Sequence, residues 1–123
     1  MTTESGEMLS EKRLLIDDSA RTAVREAIAS DVAQDWVGLW VFPWWFKRVS
    51  PGASEAEMRD ATLDLVREML DAREVLVGDL RGAQDFEPWQ LDTDAVIERL
   101  DREWRTLGRL PEIGEVAWFA PRG

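Results

Sequence analysis

Twenty-five of the 123 side chains are carboxylates, and they hold nearly all the acid–base chemistry this chain owns. His, Cys and Tyr are absent, and the only lysines are Lys12 and Lys47. Without His the chain lacks the one side chain that titrates near neutrality unperturbed. Without Cys it has no thiolate nucleophile, no thiolate zinc site and no disulfide. Ser-His-Asp and Cys-His triads therefore cannot be assembled. GxGxxG, HExxH and a phosphate-binding glycine loop are also missing. Paired carboxylates remain, the equipment of a glycosidase or of a carboxylate–magnesium site. Among so many acids some pairs fall together by chance. The chain thus reads as non-catalytic, with no metal and no cofactor.

Two clusters have the residue types of recognition instead. Trp36, Trp40, Trp44 and Trp45 fall within ten positions, beside Phe42 and Phe46. Trp36 and Trp40 are spaced i, i+4, as on the buried face of a helix. Trp44, Trp45 and Phe46 are consecutive, so one element cannot turn all three inward. The cluster reads first as core, next as a protein-binding or self-association patch, and last as a membrane-surface segment. Trp44 and Trp45 are the candidates for exposure, and exposed Trp is enriched in interface hot spots. The second cluster runs from Asp79 to Trp89. Asp79, Asp85 and Glu87 are interleaved there with Phe86 and Trp89, on a strand end and the irregular loop that follows it. Such a loop offers carboxylates to a basic partner and an aromatic anchor beside them, unless it is an ordinary solvated loop whose Trp89 folds back on the core.

Charge narrows the partner. The formal net charge is −10, and the cations are scattered among acids, whereas phosphate binding needs them clustered. Nucleic acid is disfavoured, and the Lys47-Arg48 pair is a thin basis for anionic lipid. An acidic surface serves solubility, and it also steers the capture of a basic protein.

These residues need elements to hold them. Residues 1–17 read as a flexible arm, and 18–123 as a single α+β domain. Asp18 or Ser19 caps a first helix carrying Val24, Ile28, Val32, Trp36 and Leu39 or Trp40 on one face, with a second possible cap at Ser30-Asp31. Pro43 ends or kinks it. Ser54 and Glu57 form a capping box for a second helix through Asp71. Val75-Leu76-Val77 reads as a strand and 81–91 as the loop. Asp92 or Thr93 caps a third helix that closes at Gly108. Residues 115–120 form a second strand. The expected fold has about three helices over a small two-stranded antiparallel sheet.

The stretches LDLVREMLDAREVLVGDL, FEPWQLD and IERLDREWRTLGRLPEIGEVAWFAP, within residues 63–120, resemble small bacterial immunity proteins of actinobacterial type. The resemblance implies a non-catalytic cytoplasmic protein that binds and neutralises a cognate toxin. It carries no catalytic residues over, and toxin-contacting positions vary from pair to pair in such families. The alternative is a winged-helix-like regulator or adaptor, built from three helices and a terminal hairpin, which calls for a basic reading helix.

Overall fold

Three helix starts are set by capping side chains. The Asp17 carboxylate accepts the Ala20 N–H at 2.9 Å, Asp92 accepts that of Ala95 at 2.8 Å, and Ser54 and Glu57 close the capping box. The computed structural model describes residues 16–82 and 85–122. Along it run α1 (Asp18–Gln34), β1 (Val37–Gly38), α2 (Val41–Val49), α3 (Glu55–Asp71), β2 (Val75–Arg81), β3 (Asp85–Pro88), α4 (Thr93–Leu107) and β4 (Trp118–Pro121). Most of the expected N-terminal arm lies outside the described residues. Its last two positions are engaged, since Ile16 packs against the core and Asp17 caps α1.

The first expected helix is really three elements. Asp35 takes extended backbone angles, and its own side chain accepts the Trp36 N–H at 2.7 Å. Short Asp side chains compete with helix in this way. The chain then alternates: Val37 and Leu39 are buried, while Trp36 and Trp40 are half-buried. Pro43 falls in the first turn of α2 instead of ending a helix, because an N–H there would have no intrahelical partner anyway.

The expected pairing of 75–80 with the C-terminal strand is present, with Val77 opposite Phe119. The sheet nevertheless has four antiparallel strands in the order β1-β4-β2-β3. Two were missed, one inside the supposed first helix and one inside the supposed 81–91 loop. The last strand also starts later than expected. Val116 has φ +70° and the Ala117 N–H bonds back to the Glu115 carbonyl at 2.9 Å, a tight turn that delays pairing until Trp118.

One sheet face carries Val37, Val75, Val77 and Phe119, all buried, and the helices cover it. Phe42 of α2 meets Phe119 at 4.9 Å between ring centroids. Val24 and Ile28 of α1, and Val66 and Met69 of α3, complete this core.

Candidate protein-binding surface

The segment expected to be a loop is a hairpin, and its register decides what it can present. Asp79 lies opposite Glu87, Leu80 opposite Phe86, and Arg81 opposite Asp85. Directly opposed residues share a face and neighbours along a strand do not. The carboxylates and Arg81 therefore occupy one face, and Phe86 with Leu80 the other. The Arg81 guanidinium grips Glu87 in a fork, Nε to Oε2 at 2.6 Å and NH2 to Oε1 at 3.0 Å. Asp79 and Asp85 have no ion-pair partner among the described residues. Like charges directly opposed across strands are destabilising, so the Asp79–Glu87 pair favours a nearby cation. Arg81 supplies one, and sequence reading overlooked it.

The aromatic residues of this segment leave the acids. The Trp89 backbone N–H bonds to the Val77 carbonyl at 2.9 Å, which puts its ring on the helix-covered face. There the Arg99 guanidinium sits 3.7 Å above the ring centroid, and Glu103 holds that guanidinium at 2.7 Å. Trp89 is thus a packing residue under α4 and not a free anchor. Phe86 turns to the outer face and meets Trp36 at 6.1 Å.

That contact spans the sheet, from the approach to β1 at one edge to β3 at the other. Two glycines permit it. A Cβ on Gly78 would stand 2.2 Å from the Glu87 carbonyl oxygen and 2.8 Å from the Pro88 Cα, so β3 curls over the outer face where a side chain would otherwise project. A Cβ on Gly38 would meet the Trp40 ring at 2.7 Å, with Trp118 at 3.6 Å. Trp36, Trp40, Trp118 and Phe86 accordingly share this outer face, each half-buried.

The remaining expected site residues differ from each other. Trp45 packs against the core and its Nε1 donates to Asp31 at 3.1 Å. Trp44 is 43% exposed. It stands edge-on to Trp40 at 6.5 Å, with the Arg48 guanidinium 4.5 Å from its ring. The seven residues expected to bind a partner therefore divide into the acidic hairpin face (Asp79, Asp85, Glu87), the outer aromatic face (Phe86, Trp44) and the packed interior (Trp45, Trp89). The signal for the outer face was present in the sequence as the period-two alternation of Trp36-Val37-Gly38-Leu39-Trp40, which also fits one turn of helix.

Elsewhere the acids line open clefts. One of about 380 Å³ between α3 and α4 has Asp60, Asp64 and Glu98 beside Leu63 and Ile97, and its Arg67 is tied to Asp94 at 2.6 Å. No group of three or more metal-ligating side chains is assembled among the described residues. Glu115 is held at about 2, well below the usual carboxylate range, first by the Arg109 guanidinium and then by the Glu112 backbone N–H. Both its oxygens are engaged by Arg109, at 2.7 and 2.8 Å, so it is a clasp on the turn before β4. No described helix is long and apolar enough to cross a membrane. The hairpin is not terminal, as the winged-helix alternative requires: α4 follows it and packs along α3, whose Asp60, Asp64 and Glu68 remain exposed. Compared with known proteins, the chain matches no family model, no curated protein and no solved structure.

Proposed function

We propose that this chain is a non-catalytic binding protein of the immunity type, which captures a basic protein partner and blocks it, in the cytoplasm of the cell that makes both. The observation that carries this reading is the hairpin face. Asp79 and Glu87 oppose each other in register, Asp85 lies beside them, and Arg81 is their one ion-pair partner among the described residues. A lysine or arginine from a partner relieves this repulsion on arrival. It is met by a paired strand, which loses less freedom on binding than a loop does. The net charge of −10 steers such a partner in from a distance. Charge complementarity of this kind raises the association rate and makes it salt-sensitive.

The test is growth rescue. The chain is co-expressed with the product of each gene adjoining its own, in a host that the neighbour poisons. Rescue by the wild type, lost in Asp79→Lys/Asp85→Lys and kept in Asp64→Lys, supports the reading. Failure to rescue from any neighbour refutes the immunity role. Rescue indifferent to the hairpin charges leaves the role standing and moves the surface elsewhere, the α3–α4 cleft being the next to reverse.

A further inference from the structure

The outer aromatic face has a different electrostatic character from the rest of the molecule. Between Asp35 and Glu55 the sequence contains no carboxylate, in a chain where acids make up about a fifth of all residues. This stretch supplies Trp36 and Trp40 to the outer face, and Trp44, Lys47, Arg48 and Val49 to the exposed side of α2. Lys47 has no ion-pair partner among the described residues, and Arg48 rests on the Trp44 ring. A basic partner drawn to the hairpin acids gains nothing from this end of the molecule. An antiparallel sheet whose second face meets water normally alternates to polar residues there. Here that face bears Trp36, Trp40, Trp118 and Phe86.

Charged residues flank the patch at its two ends, and the ends differ in sign. Its line of contacts runs from Phe86 to Trp36 at 6.1 Å, on through the Trp40 and Trp118 rings around Gly38, and from Trp40 to Trp44 at 6.5 Å. At the Phe86–Trp36 end stands Asp35, exposed, and at the Trp44 end stand Lys47 and Arg48, also exposed. A surface with an apolar centre, one acidic end and one basic end is complementary to itself when turned by 180°. A two-fold axis pairs each residue i with j and each j with i, which sets Lys47 and Arg48 of one copy towards Asp35 of the other. The chain's whole accessible surface is 7642 Å², so a standard interface of about 800 Å² per partner takes roughly a tenth of it. A carboxylate-poor patch is also where two copies of so acidic a protein approach with least repulsion.

We infer that the outer aromatic face, from Phe86 and Trp36 to Trp44 and Arg48, is a two-fold docking surface for a second copy of this chain. It is separate from the hairpin face turned to the helices' side, and it does not depend on the identity of any other partner.

Sedimentation velocity of the full chain, from about 1 µM to about 200 µM, brackets micromolar self-affinity. The expected result is a monomer–dimer equilibrium with no larger species. Trp44→Ser weakens it by about 30-fold, as loss of a hot-spot Trp does, while the far-ultraviolet circular dichroism spectrum stays that of the wild type because Trp44 is already 43% exposed. Lys47→Glu/Arg48→Glu also weakens the dimer. Adding Asp35→Lys to that variant exchanges the sign of the two ends and restores it. A chain that stays monomeric across the range overturns the inference, and monomers that co-sediment with vesicles of anionic phospholipid reassign the patch to a membrane surface. Open-ended growth overturns the two-fold arrangement. Dimerisation indifferent to Trp44, or a charge-exchanged variant that fails to recover, places self-association on another face.

Discussion

Substituting alanine for Gly78 adds one methyl group and should undo more structure than any other single small change in the sheet. The added Cβ would lie 2.2 Å from the Glu87 carbonyl oxygen, and 2.8 Å from both the Glu87 carbonyl carbon and the Pro88 Cα. Ordinary carbon–oxygen contact begins near 3.4 Å, so roughly 1 Å of separation has to be recovered. The obstructing atoms are all backbone of β3, which no rotamer change relieves. β3 must lift away, and its register with β2 and the Phe86–Trp36 contact go with it. Overpacking in a filled site costs about 1–3 kcal/mol, and the upper end applies because a strand and not a side chain has to move. Against a domain stability of about 5–15 kcal/mol that is a large fraction. Gly38→Ala is the comparison. Its Cβ meets only the Trp40 side chain, at 2.7 Å, which can swing away at a cost of about 0.5–1.5 kcal/mol for an off-rotamer χ. Urea denaturation followed by Trp fluorescence measures both. If Gly78→Ala falls within about 0.5 kcal/mol of the wild type, as harmless surface changes do, or if Gly38→Ala is the costlier of the two, β3 does not curl across Gly78.

Other outcomes follow from burial and from Glu115. Phe119→Ala removes a fully buried ring packed on Phe42 and should cost about 3–5 kcal/mol, whereas Trp36→Ala and Trp40→Ala, both only half-buried, should fall below that range in the same urea titrations. Glu115 is held at about 2 in the folded chain against an ordinary 4.5. Its folded value is depressed, so the stability it contributes is present above about pH 4.5 and is lost as pH falls towards 2. In Glu115→Gln that segment of the stability profile should flatten, and a carboxyl carbon of Glu115 that titrates near 4.5 by NMR would show that the Arg109 clasp does not form.

Much of the architecture was legible because it is local. The Ser54–Glu57 capping box, the apolar stripe from Met58 to Met69, the Gly108 terminus and the aliphatic run at 75–77 each act within a few residues of themselves. The absence of His and Cys likewise fixes which catalytic devices cannot be built. What the sequence left open was decided by contacts between distant segments. Trp36 and Trp40 satisfy a helical spacing and a strand alternation equally well, since both periods nearly coincide over five residues. Pairing of β1 with β4, eighty residues away in sequence, selects the strand. The 81–91 segment carries Gly and Pro and has no apolar run, yet Asp85–Pro88 becomes a strand because β2 supplies its backbone partners. The fate of each candidate binding residue then follows from pairing geometry, which no composition reveals. In-register pairing gathers Asp79 and Glu87 with Asp85 and gives them Arg81. Alternation sends Phe86 across the sheet to Trp36, and one more residue of β-geometry folds Trp89 beneath Arg99. Local chemistry chose the helix starts and left out every histidine or cysteine device, but the side of the sheet on which each acid and aromatic stands is a property of register, and register exists only once the strands have met.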